Sequence, residues 1–123
     1  MEQRPFSWKH RIRSFRYAFA GIRDFIYHEH NSWLHLGATI GVIVLAAVMK
    51  VSKTEWLAIV FVIGLVWIAE AFNTCVEKII DFVSRDKHPD VRFIKDLAAG
   101  GVLIAAIAAL ITACIIFIPK FIA

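Results

Sequence analysis

Cysteine, proline and glycine are all scarce in this 123-residue chain, at two, three and six residues. Cys75 and Cys114 lie in apolar stretches, with no CxxC pair and no His/Cys cluster nearby. That argues against a disulfide framework or a zinc site, and the two thiols read as buried small hydrophobes. There is no GxxxxGK[ST] loop and no HRD or DFG set, so the common soluble nucleotide folds are absent. No repeat or low-complexity tract breaks the chain. A signal-peptide h-region is also lacking. The first long apolar run begins only near Trp33, so insertion into a membrane is expected to rely on the mature helices.

Apolar residues and basic flanks are what the chain has in abundance. Hydrophobic residues make up 59%, against roughly 45–50% in soluble domains. The length suits one domain, residues 1–123. The predicted fold is an all-α integral membrane protein with an N-terminal surface helix and three transmembrane spans. The net charge is +4, from 14 Lys+Arg against 10 Asp+Glu. Because the basic residues flank apolar spans, the excess points to anionic headgroups and not to nucleic acid.

Residues 6–28 carry the clearest periodicity. Trp8, Ile12, Phe15, Phe19, Ile22 and Ile26 recur at alternating steps of four and three, with Lys9, Arg13, Arg16 and Arg23 on an adjacent stripe. Aromatic anchors beside a basic band predict a helix lying in the membrane interface. A polar break, His28-Glu29-His30-Asn31-Ser32, follows, in which Asn31 or Ser32 is expected to cap the next helix. Span one is predicted over residues 33–49, with His35 near its start as an ordinary interfacial hydrogen-bonding group. Lys50–Glu55 forms a tight turn. Span two is predicted over residues 56–76, with its helix fading near Ser84. Residues 84–92 read as a polar loop broken by Pro89, and span three covers residues 97–118.

Orientation follows from the basic residues. Arg4, Lys9, Arg11, Arg13, Arg16 and Arg23 precede span one, and Lys78, Arg85, Lys87, Arg92 and Lys95 surround the second loop. The first loop has only Lys50 and Lys53. Positive-inside then predicts a cytoplasmic N-terminus and second loop.

Span two ends in Glu70-Ala-Phe-Asn73-Thr-Cys-Val-Glu77-Lys-Ile-Ile-Asp81. At 100° per residue, Asn73, Glu77 and Asp81 fall about −60°, −20° and +20° from Glu70, on one narrow face. With a 1.5 Å rise, Glu70 stands about 21 Å and Glu77 about 31 Å along the axis from Trp56, against a hydrocarbon core of about 30 Å. Glu70 is thus expected inside the membrane, and Glu77 and Asp81 at its cytoplasmic rim. Ionisable residues at membrane depth are costly and usually functional.

Three chemistries fit such a row. Mg²⁺ with a nucleotide is one, since Mg²⁺ is held by one or two carboxylates together with phosphates. Lys95 would offset phosphate charge, and a deeper carboxylate could act as general base on a lipid hydroxyl. A proton or cation pathway through an oligomer is the second. An oligomeric scaffold with carboxylates paired to Lys78 and Lys95 is the third.

The pattern Glu70-x-x-Asn73-x-x-x-Glu77-x-x-x-Asp81, followed by Lys95-Asp96, resembles the signature of the small prokaryotic diacylglycerol kinase family, which includes diacylglycerol and undecaprenol kinases. The likeness is collinear over nearly the whole chain, from the surface helix through the Glu29 hinge and His88. It implies a homotrimer in the bacterial plasma membrane whose active sites are shared between neighbouring chains. By that resemblance Glu70 is the catalytic base, and Glu29 and Glu77 are the metal ligands. Tyr17, His88, Lys95 and Asp96 are nucleotide-binding, and Asn73 and Asp81 support the site. The implied reaction is transfer of the γ-phosphate of ATP, with Mg²⁺, to a lipid hydroxyl. His35 and Ala99 stand where the diacylglycerol branch tends to carry a carboxylate and a serine, and His10 where it commonly has arginine. With Asn31, His35 and Ala99 resemble acceptor-side positions of the undecaprenol kinase branch. Undecaprenol is the expected acceptor and diacylglycerol the runner-up.

Overall fold

A computed structural model describes residues 5–83 and 88–123. Four helices follow in order: α1 (Trp8–His28), α2 (His30–Val48), α3 (Lys53–Val83) and α4 (Pro89–Ile122). Arg4, Arg85 and Lys87, three of the basic residues used for orientation, lie outside the described residues, as does Ser84. The chain divides into two compact units, Met1–Leu34 and His35–Ala123.

In the N-terminal unit α1 starts where Ser7 supplies an N-cap, its side chain accepting from the His10 N–H at 3.4 Å. No residue of α1 is buried; Trp8, Phe15 and Phe19 are all exposed. The helix ends at Glu29, which adopts an extended backbone and donates its N–H to Phe25 O. The polar break is therefore a single residue. Ser32 does not cap α2 as expected, because α2 already begins at His30. Its hydroxyl instead lies 2.6 Å from Glu29 O and 3.0 Å from Ile26 O, donating back to the end of α1. The Trp33 indole N–H also donates to Ile26 O at 2.6 Å. These donors satisfy carbonyls that the end of a helix leaves without intrahelical partners.

In the C-terminal unit α3 packs along α4. A small core of Ala46, Val51, Ile59, Ile116 and Phe117 sits where α2, α3 and α4 come together beside the α2–α3 turn. Lys50 turns the chain at φ 53°. A capping box then starts α3: Glu55 N–H donates to Ser52 Oγ at 3.1 Å, and Ser52 N–H donates to Glu55 Oε1 at 2.9 Å. Lys120 reaches the same carboxylate at 3.1 Å, tying the end of α4 to the start of α3.

Two expectations about this unit are corrected. Residues 89–92 are helical: Pro89 opens α4, where a missing N–H costs no hydrogen bond, and the His88 side chain accepts from the Asp90 N–H at 3.1 Å as N-cap. Residues 89–92 are therefore a helix start and not a loop, and residues 84–87 of that predicted segment lie outside the described residues. Cys75 and Cys114 are exposed, and neither belongs to the small core.

α2, α3 and α4 are each long and apolar enough to cross a membrane, and fewer than a fifth of the residues in each apolar window are buried. Leu34, Phe61, Phe72 and Ile104 are among many large side chains left exposed. Helices with apolar windows this long and so little protein cover suit lipid as their solvent.

Candidate active site

The polar stripe of α3 is real, and it is graded. Glu70 and Asn73 are 4% and 7% exposed, whereas Glu77 and Asp81 are exposed. The i,i+4 geometry brings Asn73 Nδ2 to Glu77 Oε1 at 3.3 Å, so residues 73 and 77 do share a face. Asn73 Oδ1 is buried without a hydrogen-bond partner. The carboxamide thus orients a carboxylate with its nitrogen while its buried oxygen is left without a partner.

Glu70 meets His35 across the α2–α3 interface, with His35 Nε2 3.4 Å from Glu70 Oε2. Beneath this pair Thr39 links the two helices. Its hydroxyl accepts from the Trp67 indole N–H at 2.9 Å and donates to His35 O at 2.6 Å. Trp67 and Thr39 are the contributors that sequence reasoning did not single out. A tryptophan one turn before Glu70, whose N–H needs an acceptor when sheltered, was the available signal.

Further along α3, Asp81 Oδ1 receives Lys95 Nζ of α4 at 2.9 Å. Asp96 lies 3.8 Å from Arg92, one turn back on α4. Ala99 is exposed one turn beyond Lys95, and His88 stands at the helix start. From Glu70 to Lys95, the C-terminal unit therefore carries a buried carboxylate at one end and exposed charges of both signs at the other. Tyr17, Glu29 and Asn31 belong to the N-terminal unit: Tyr17 is exposed on α1, Glu29 is half-buried at the hinge, and Asn31 is exposed at the start of α2.

An apolar cavity of about 300 Å³ opens beside the Glu70–His35 pair, between α2, α3 and α4. His35 and Thr39 lie at its polar margin, and Val66, Ala106, Ala109 and Leu110 form its walls. A long hydrocarbon chain would find no polar group to desolvate along those walls.

Among the described residues no three His, Cys, Asp or Glu side chains gather into a metal cage. The donors present nevertheless fit magnesium, which takes oxygen ligands and is held by one or two carboxylates plus phosphates. Glu77 offers an exposed carboxylate, and the partnerless Asn73 Oδ1 a second oxygen one turn away.

Comparison with known proteins decides what such a site belongs to. A family-wide match to prokaryotic diacylglycerol kinase spans residues 16–117. The chain belongs to the prokaryotic diacylglycerol kinase family. Over 109 residues it is 32% identical to the undecaprenol kinase of Bacillus subtilis, covering 89% of each chain. Over 107 residues it is 34% identical to a diacylglycerol kinase of Synechocystis, covering 86% of this chain and 61% of that one. It is 27% identical over 110 residues to the diacylglycerol kinase of Escherichia coli, covering 89% and 90%. Membership of this lipid kinase family makes the chain a phosphotransferase that draws on a nucleotide donor and acts on a lipid. Its three apolar helices are those of a multi-pass membrane protein. Every candidate residue from Tyr17 to Ala99 falls within the matched region.

Proposed function

We propose that this prokaryotic diacylglycerol kinase family member phosphorylates undecaprenol to undecaprenyl phosphate, using MgATP, at the cytoplasmic face of a bacterial plasma membrane. The observation that carries the reading is the burial gradient along α3, from the enclosed Glu70 and Asn73 to the exposed Glu77 and Asp81. An apolar acceptor and a highly charged donor must meet in one site, and the gradient offers each its own end.

In this reading the whole chain is one lipid kinase domain working as a homotrimer with active sites shared between neighbours. The apolar stripe of α1 lies on the membrane, with Lys9, Arg13, Arg16 and Arg23 facing anionic headgroups. Positive-inside puts the N-terminus and the α3–α4 connection in the cytoplasm.

Glu70 is the general base. The acceptor hydroxyl attacks the γ-phosphorus in line, its proton passes to the Glu70 carboxylate, and the new oxygen–phosphorus bond forms. The bond from the γ-phosphorus to the bridging oxygen breaks, and ADP leaves with that electron pair. Glu77 and Glu29 would hold the metal, with Asn73 orienting Glu77 through its amide nitrogen. Magnesium, when bound, would offset the negative charge of the phosphates. Tyr17, His88, Lys95 and Asp96 bind the nucleotide, and Asp81 keeps the Lys95 ammonium at 2.9 Å, near the rim. Asn31, His35 and Ala99 contact the acceptor.

Undecaprenol is favoured by His35 and Ala99, which replace a carboxylate and a serine of the diacylglycerol branch, and by the likeness to the Bacillus subtilis enzyme. Diacylglycerol is the second reading, favoured by 34% identity to the Synechocystis enzyme. The test offers undecaprenol, diacylglycerol and ceramide side by side in mixed micelles, with labelled ATP. Transfer to undecaprenol with the highest kcat/KM supports the proposal. A higher kcat/KM for diacylglycerol replaces the acceptor but keeps the chemistry. Transfer to no lipid, with proton or cation flux in liposomes, overturns the kinase reading.

A further inference from the structure

His35 is bound into the site more firmly than contact with an acceptor requires. Its Nε2 approaches Glu70 Oε2 at 3.4 Å, and its ring is tilted 60° to Trp67 with 6.1 Å between centroids. Its own carbonyl accepts from Thr39, whose oxygen accepts from Trp67. Trp67 precedes Glu70 by one turn, so the same hydroxyl fixes the backbone bearing the imidazole against the turn bearing the carboxylate. On the far side of the cavity α4 contributes Ala106, Ala109, Leu110 and Ala113, none of which can hydrogen-bond a carboxylate through its side chain.

We propose that His35 is a positioning residue for Glu70: the imidazole Nε2–H holds carboxylate oxygen Oε2 and turns Oε1 towards the acceptor hydroxyl. The inference rests on the assignment of Glu70 as base. The terminal torsion of a glutamate is broad and roughly two-fold, so a buried carboxylate without a fixed donor has no single orientation. Proton transfer needs a heavy-atom separation of about 2.6–3.2 Å along one lone pair. A donor on the second oxygen also replaces part of the hydration lost on burial. At 3.4 Å the contact is longer than a good hydrogen bond, as catalytic contacts often are before substrates close the site. The acceptor's proton ends on Glu70, and His35 neither gains nor loses one in the step.

A histidine that merely lined the acceptor would act through KM, whereas one that orients the base acts through kcat. Purified His35→Leu, which keeps bulk but removes the donor, is compared with His35→Gln, whose amide N–H has about the reach of Nε2. Nucleotide affinity is measured for both variants as a check on folding. His35→Leu should lower kcat about tenfold to a hundredfold, with KM for ATP within about twofold of wild type. His35→Gln should recover most of that loss. An unchanged kcat with a raised lipid KM in His35→Leu overturns the proposal, and so does a His35→Gln variant as slow as His35→Leu. Glu70→Gln is run alongside. Should it keep near-normal turnover, the base assignment fails and takes the positioning role with it. If Glu70→Gln is inactive while His35→Leu is unimpaired, only the positioning role fails.

Discussion

Exchanging Glu77 for Gln tests the charged end of the stripe with little disturbance to the helix. The side chain is exposed, and its contact with the protein is the 3.3 Å hydrogen bond from Asn73 Nδ2, which a Gln carbonyl can still accept. Fold stability should therefore change by less than about 0.5 kcal/mol, the usual range for surface substitutions. What is lost is a formal negative charge where magnesium and phosphates are proposed to meet. Disturbing a metal site's supporting groups alone typically costs about ten- to a hundredfold in metal affinity or activity. A weakening of MgATP binding of at least that size, about 1.4–2.7 kcal/mol, is expected here. Calorimetric titration of wild type and Glu77→Gln with ATP, at low and at saturating magnesium, reads the effect. The two proteins should differ strongly in the magnesium-dependent part of the affinity and little in its absence. Equal magnesium dependence in both would refute the assignment of Glu77 as a metal ligand.

Further outcomes follow from the same geometry. The Lys95–Asp81 pair is part-exposed, at 39% and 67% for the two side chains, and such pairs contribute about 0–1 kcal/mol to stability. Asp81→Asn should therefore melt close to wild type, while Lys95→Met should raise the KM for ATP about tenfold or more through loss of the proposed charge-assisted contact to phosphate. Unaltered nucleotide kinetics in Lys95→Met would remove that residue from the donor site. Ile59 is 2% exposed in the core beside the α2–α3 turn. Ile59→Ala should cost about 2–5 kcal/mol in reversible unfolding by detergent, with turnover retained at temperatures where the variant is folded. Ser52→Ala removes the acceptor for the Glu55 N–H. A loss of about 0.5–2 kcal/mol is expected in the same unfolding assay.

Much of the fold was legible because lipid imposes simple rules. A span needs length and apolarity, and α2, α3 and α4 announce both, so the three apolar stretches were predicted in the right order. Their ends were less legible. Pro89 reads as a breaker, yet at the first turn of a helix its missing N–H is harmless, and α4 begins there. Ser32 reads as a cap, but its position after an already helical His30 makes its hydroxyl a donor to Ile26 and Glu29 carbonyls.

The stripe from Glu70 to Asp81 was legible because helical spacing alone puts the four residues on one face, and the burial gradient follows from where the apolar run stops. Partners across helices were not. Nothing in spacing tells that Thr39 meets Trp67, or that His35 meets Glu70, because those contacts depend on how α2 lies against α3. The pairing of Lys95 with Asp81 was legible only as a possibility among several carboxylates, and their packing on α3 and α4 selects one.

The most direct measurement of the central claim is transfer of the labelled γ-phosphate from MgATP to undecaprenol by purified wild type and Glu70→Gln in the same mixed micelles. Nucleotide binding is followed in parallel. A glutamine fills the same volume, so the 4%-exposed site loses its proposed base without gaining a cavity. Wild type should form undecaprenyl phosphate, and Glu70→Gln should bind MgATP normally while its turnover falls by about 10²–10⁴. Near-normal transfer by Glu70→Gln would contradict the account.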